Sequence, residues 1–377
     1  MINSIAFFLI LVYIYIISKK YYSKCSLEQK VIFLVLFFIH FSTMILAYCD
    51  DIIDANVFYE KAKVADSWFS IFGLGSQFMS FLIYPLVVMG ASKLLLYFLF
   101  SSLSFQAFIW YFENMEDSFS SPGNPIITRI AQLFFLLPSF HYWSGFAGKD
   151  ALVFFIMTYL FFEVKNNKTL NFFHCIALIL FLLLRPHVFL MYGLAFFLYF
   201  LFVKKTERAM KFKLLVSASL FVCVFLPIIM RFLRIDGLSL ELLIEFWQKL
   251  NLYSNSVSNG IDISKTNIFE RIGLLLFRPM FFDASTFYQY MVSIENSLVL
   301  LLLLFSVYYL FILCTKINIT KDVKLATLIG LFIMVMIASY IYNLGLASRM
   351  RLMFLPFILY AIHQTLFYSF TKKIFLN

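Results

Sequence analysis

Runs of about twenty apolar residues, broken by short loops that carry lysine, recur along the whole chain. A run of that length is what an α-helix needs to cross the hydrocarbon core of a bilayer. The pattern excludes a water-soluble fold. Of the 377 residues, 63% are hydrophobic and 13% are charged, whereas soluble domains carry about 45–50% apolar and about 25% charged residues. Intrinsic disorder is excluded by the same figures. No GxxxxGK[ST] sequence is present, which removes P-loop nucleotide chemistry. The expected fold class is an all-α polytopic integral membrane protein, with 1–377 as a single transmembrane domain.

The net charge of +10 does not call for nucleic acid, because Lys clusters in short loops of the kind that face the cytoplasm. Cys25, Cys49, Cys175, Cys223 and Cys314 are scattered, mostly in apolar runs, and read neither as a disulfide framework nor as a zinc site. The first apolar run has no small-residue cleavage site after it and is expected to stay as a helix.

Crossings are expected at 2–18, 30–48, 70–90, 92–112, 150–163, 169–185, 187–203, 213–232, 290–315, 323–344 and 351–370. The stretch 127–146 is apolar but interrupted by Pro138, His141 and Gly145. Letting it dip in and return keeps Lys19–Lys24, Lys165/Lys168, Lys204–Lys213, Lys316–Lys324 and Lys372/Lys373 on one side, as the positive-inside rule asks. The expectation is therefore about eleven transmembrane helices and one re-entrant segment, with the N-terminus outside and the C-terminus inside. On that map 16 of 21 Lys are cytoplasmic, yet 8 of 9 Arg, all but Arg208, lie outside. Arg presents the planar fork that recognises phosphate or carboxylate in two places at once.

Four features share the outer face. An acidic segment, Asp50-Asp51-Ile52-Ile53-Asp54, follows the second crossing and offers a general base or a metal ligand. The segment Pro138 to Asp150 is rich in small residues, and irregular backbone at membrane depth is tolerated only where protein buries it or it lines a cavity. Its Lys149 is a candidate phosphate ligand, or else a helix-end lysine paired with Asp150. Leu184-Arg185-Pro186-His187 joins two crossings with almost no loop, so Arg185 ends an apolar run, where a charge is costly enough to mark a site. His187 is a candidate base. Asn343 to Arg351 makes another tight turn and carries Arg349 and Arg351. The segment 233–289 is the one long external loop; it holds an amphipathic helix from Leu238 to Leu250 and an interfacial one from Ile268 to Met280, with Arg271 and Arg278.

The acidic loop, the Pro138-Ser139…Trp143-Ser144-Gly145…Lys149-Asp150 segment, the Arg185-Pro186 turn and the late Gly345…Arg349-Met350-Arg351…Pro356 together resemble bacterial polysaccharide polymerases. These include the Wzy-type O-antigen polymerases and the EpsG-like exopolysaccharide proteins. More distantly the layout resembles GT-C membrane glycosyltransferases, which use polyprenyl-phosphate sugar donors. The resemblance implies a bacterial inner-membrane enzyme of O-antigen, capsule or exopolysaccharide synthesis. It would join repeat units carried on undecaprenyl pyrophosphate, at the periplasmic face, without cofactor or metal. Arg185, Arg349 and Arg351, with Arg278 and Lys149, would hold the pyrophosphate; Asp51, Asp54 or His187 would be the base. Membrane lipids and a chain-length regulator are the partners it implies. The chain departs from the better-known polymerases in having one long external loop rather than two. A GT-C monosaccharide transferase and a lipid-linked glycan transporter are the alternatives.

Overall fold

The computed structural model describes residues 2–116, 125–204, 208, 211–213, 215–216, 240–256, 260–262, 265–313 and 319–374. Every element among them is helical, apart from one isolated bridge between Gly260 and Asn343. Six helices are long and apolar enough to cross a membrane, or eight when each of two bent pairs is taken as one. Their outward faces are apolar, with Phe8, Phe38, Phe202 and Phe287 all exposed. Such patches would be a liability in water and are at home against lipid. The chain divides into two compact units, Met1–Pro186 and His187–Asn377.

In the first unit α1 (Ile2–Tyr22) and α2 (Leu27–Cys49) form a hairpin whose turn is set by a capping box, with Ser26 and Gln29 bonding each other's backbone. The lysines Lys19, Lys20 and Lys24 lie at this turn, which defines the unit's lysine end. Helix α5 (Lys93–Glu116) packs on both. It begins at the other end, where Lys93 pairs with Asp51, and finishes at the lysine end, where Tyr21 Oη donates to Glu116 Oε1 at 2.8 Å. Short α6 (Pro125–Phe135) and α7 (Pro138–Ser144) return from there, and α8 (Lys149–Lys165) and α9 (Phe172–Leu184) form the last hairpin.

Two expected elements differ. The stretch 70–90 does not run from end to end. It forms a 3-10 turn at Phe69–Ile71 and α4 (Ser76–Val88), 13 residues long, or about 20 Å. The start of α4 meets Leu183 and Lys149, while just after its end Asn3 Nδ2 donates to Gly90 O at 2.9 Å. Both of its ends are thus at the end opposite the lysines, where it packs on α3 (Ile53–Lys63). Conversely, 127–146 travels the whole way. Arg129 lies beside Glu116 at the lysine end, and Tyr142 reaches Asp50 at the other. Arg129, Glu113 and Glu116 therefore share the lysine end rather than opposing it, and Lys93 does the reverse. The expected acidic loop after α2 is largely α3.

In the second unit α10 (Pro186–Leu198), continued by one π turn at Tyr199–Val203, packs against α14 (Lys321–Tyr340), which packs on α16 (Leu355–Ile374). The last two approach closely at Gly330, where an added Cβ would lie 2.6 Å from Ile358 Cγ1. Small residues of this kind let membrane helices pack backbone to backbone. The segment α15 (Leu344–Met350) and the following 3-10 turn bend by 52° into α16. Helix α12 (Ile268–Phe277) packs on α14, on α15 and on α13 (Phe287–Leu313). The amphipathic helix expected from Leu238 is α11 (Leu240–Asn255). Most of the crossing expected at 213–232 lies outside the described residues.

Candidate functional site

In the first unit three chain ends meet opposite the lysines: the starts of α4 and α8 and the end of α9. Gly75 N donates to Leu183 O at 2.8 Å, Lys149 Nζ donates to Ser76 Oγ at 3.0 Å, and Arg185 forms a buried ion pair with Asp150. Helices α4 and α8 are both entered through glycine, Gly75 and Gly148, with no side chain capping the first turn. Uncapped N-termini present N–H groups and the positive end of the helix dipole, and so favour an anion. Half-buried Lys149 adds a positive charge at the same place, beside the buried Arg185–Asp150 pair.

The bend that delivers Lys149 is built into the backbone. Helices α7 and α8 meet at 107°. At Gly145 an added Cβ would sit 2.7 Å from His141 O and 3.1 Å from Met44 Cα. Helix α7 is anchored on α2 and α5 by two buried imidazoles, His40 and His141, whose Nδ1 atoms are 2.9 Å apart. His141 Nε2 lies 3.0 Å from Phe135 O, and His40 Nε2 lies 2.9 Å from both Ser101 O and Ser101 Oγ.

The next residue of α7, Tyr142, donates through Oη to Asp50 Oδ2 at 2.8 Å. Asp50 thereby joins the end of the unit that carries Lys149, Asp150 and Arg185. Asp51 turns away: it adopts φ +52° and bonds Lys93. The Lys93 ammonium, helped by Asn56, holds its exposed carboxyl below the usual carboxylate range. A depressed pKa weakens a general base, so the geometry favours Asp50 over Asp51. Asp54 is half-buried in the first turn of α3.

The second unit has its own arginine cluster. Arg351 is 3% exposed. Its Nε donates to Leu275 O at 2.8 Å, and its two terminal nitrogens bond Asn296 Oδ1 and Arg278 O. Asn296 Nδ2 in turn donates to Pro279 O at 2.7 Å. Buried Glu295 lies within coulombic reach. Arg351 thus clasps α12 to α13 with all three guanidinium nitrogens on protein oxygens. Arg278 is paired with Asp283, and Arg271 Nη1 donates to Ser339 O at 3.0 Å while stacking on Trp247. Arg349 is half-buried on α15, two residues from the clasp. His187 is half-buried with its ring edge-on to Tyr340, 5.8 Å between centroids.

Of the sequence candidates, then, Lys149 and Arg185 come together in the first unit, and Arg351 and Arg278 in the second. Asp51 is engaged by Lys93. Sequence reasoning passed over His40, which sits mid-helix with no local signal, and preferred Asp51 to Asp50, although the acidic run contains both. Among the described residues no group of three or more His, Cys, Asp or Glu is placed to hold a metal ion. No family model, curated protein or solved structure matches the chain.

Proposed function

We propose that this protein is a membrane glycosyltransferase that polymerises lipid-linked oligosaccharide repeat units. A hydroxyl of the acceptor unit attacks the anomeric carbon of the growing glycan. The bond from that carbon to the undecaprenyl pyrophosphate oxygen breaks, and the hydroxyl proton passes to a carboxylate. The carrying observation is the junction of two uncapped helix N-termini with Lys149 beside the Arg185–Asp150 pair. Such a junction favours an anion held at the bilayer surface, and it would stabilise charge on the departing pyrophosphate. Asp50, oriented by Tyr142, is the base this reading prefers.

In this reading the lysine end of the first unit faces the cytoplasm of a bacterial inner membrane. The first unit makes six passages: α1, α2, α5, the broken α6–α7 path, α8 and α9. Taken with the five crossings expected from the sequence after residue 186, the total is eleven, with the N-terminus periplasmic and the C-terminus cytoplasmic. The test is the glycan ladder of a deletion strain carrying the wild-type gene or Lys149→Gln. Collapse of the ladder to a single repeat unit in both the deletion and the variant is expected. A ladder whose every rung shifts by one sugar would instead mark a single-sugar transferase, and accumulation of unprocessed lipid-linked units a transporter.

A further inference from the structure

Two ionisable side chains that the proposed reaction does not use lie in the interior of the first unit. His40, midway along α2, and His141, on α7, are both wholly buried. Helix α2 is long and apolar enough to cross a membrane, and α7 belongs to one of the bent pairs. Ionisable groups inside such elements are costly and commonly mark proton or ion sites.

The chemistry of each partner limits where the hydrogens of the pair can sit. Phe135 O, 3.0 Å from His141 Nε2, can only accept. His141 Nε2 therefore carries a hydrogen, and in the neutral ring His141 Nδ1 carries none. That bare nitrogen lies 2.9 Å from His40 Nδ1. Two bare nitrogens at this distance would repel, so one hydrogen must lie between them. His40 Nε2 has two partners, the carbonyl and the hydroxyl oxygen of Ser101, both at 2.9 Å. They serve different charge states. When Ser101 Oγ–H donates to His40 Nε2, the hydrogen of His40 is on Nδ1 and points at His141, and the pair is neutral. When His40 Nε2–H donates to Ser101 O, the hydrogen between the rings is an added one, and the pair carries one positive charge. Passing between these states turns the Ser101 hydroxyl from donor to acceptor and moves neither ring. A second added proton would set two N–H groups head to head, so the capacity is one.

The surroundings suit a shared proton rather than an ion pair. No carboxylate or ammonium group among the described residues bonds either ring or lies within coulombic reach of it. The charged groups on the helices packed around the pair include Lys30, Lys93, Glu116, Lys149 and Asp150, and these stand at helix ends. The nearby tyrosines along α5 and α7, Tyr97, Tyr111 and Tyr142, bond neither ring. Ser104 Oγ, 3.4 Å from His40 Nε2, donates to Ser144 O at 2.8 Å. Phe105 lies 5.5 Å from His40 and Phe108 lies 4.3 Å from His141, between ring centroids. Aromatic rings at this range attract a cation.

We propose that His40 and His141 form a proton-binding site, which takes up one proton between its two Nδ1 atoms and keeps α7 fastened to α2 in both charge states. The proton comes from water, and no other bond forms or breaks. The site places a titratable charge one residue before Tyr142, the side chain that bonds Asp50. It stands independently of the polymerase reading.

The test is solid-state NMR of the full-length protein in phosphatidylcholine nanodiscs, with nitrogen-15 in its histidines. It reads the protonation of each ring nitrogen and the scalar coupling that a hydrogen bond between two nitrogens transmits. The titration runs from about pH 8 to about pH 4, either side of the ordinary imidazole value of about 6.5. One pair of coupled Nδ1 signals is expected at the start, with one proton taken up per pair and the coupling retained. The same signals should persist in His174→Gln, His187→Gln and His363→Gln, which assigns them to His40 and His141 without touching either. Ser101→Ala removes the donor of the neutral state and leaves the carbonyl acceptor of the charged one. It is expected to take up the proton at a concentration about fivefold lower, the ordinary worth of one neutral hydrogen bond. Absence of a coupled pair overturns the proposal, as does its loss in any of the three glutamine variants. So does proton uptake that abolishes the coupling, no uptake down to about pH 4, or a Ser101→Ala titration identical to the wild type.

Discussion

At the scale of single residues, the informative distinction is between cations that brace the fold and cations that the proposed reading places on a ligand. Arg351 belongs to the first kind, with its nitrogens on Leu275 O, Arg278 O and Asn296. In that reading Lys149 belongs to the second, standing at the start of α8 where it donates to Ser76 Oγ. Arg185 is intermediate, because it neutralises Asp150, which is fully buried. Removing one member of a buried pair strands the other and costs about 3–5 kcal/mol. Arg185→Met is therefore expected to lower thermal stability sharply. Arg185→Met/Asp150→Leu should recover most of that stability while polymerisation stays lost; recovery of both would confine the pair to a structural role. Asp51 gives a pH prediction. Its folded-state pKa is depressed by Lys93, so the pair stabilises the fold above the unfolded-state value of about 4 and that contribution is lost as pH falls. Unfolding curves of the parent and Asp51→Asn should differ at neutral pH and converge as pH falls towards about 2; a constant gap would show that the ion pair is not its source. The sequence placed Asp50, Asp51 and Asp54 together but held nothing to separate them, because the separation comes from Tyr142 and Lys93, far away along the chain.

At the scale of elements, hydropathy locates apolar helices well and their paths less well. Helices α1, α2, α5 and α14 fall where expected because each is a long, uninterrupted apolar run. Helix α4 is just as apolar, but at 13 residues it is about 20 Å long and its two ends lie at the same end of the unit. The α6–α7 path is interrupted by Pro138 and still travels the full distance. The two misassignments offset each other in the count of passages, which is why the lysine pattern could be satisfied by the wrong pair of elements. The anchoring of α7 was not legible either, since the His40–His141 contact depends on packing across 101 residues. Two glycines carry predictions here. Gly145→Val would force a side chain against His141 O and Met44, and Gly330→Val would push Ile358 away. Each is expected to cost about 1–3 kcal/mol of stability. Gly145→Val should in addition abolish activity, because it displaces the bend that carries Lys149, and Gly330→Val at permissive temperature should not. Equal activity loss in the two would separate the bend from the chemistry.

At the scale of the molecule, the first unit has two distinct ends: Lys19, Lys20 and Lys24 at one, and the Arg185–Asp150 pair with the breaks before α4 and α8 at the other. Sidedness can be read by cysteine substitution and a membrane-impermeant maleimide. Ser67→Cys and Met89→Cys flank α4 and are expected to react from the same side, with Ser23→Cys reacting from the opposite one. Reaction of Ser67→Cys and Met89→Cys from opposite sides would mean that α4 crosses after all, and would dissolve the junction at its N-terminus. The most direct measurement is of the anion itself. Undecaprenyl pyrophosphate binding is compared for wild type, Lys149→Gln and Lys20→Gln/Lys24→Gln in nanodiscs. The expected result is saturable binding that weakens about tenfold or more in Lys149→Gln and is unchanged in Lys20→Gln/Lys24→Gln. Equal affinity in wild type and Lys149→Gln would contradict a pyrophosphate site at the junction of α4, α8 and α9.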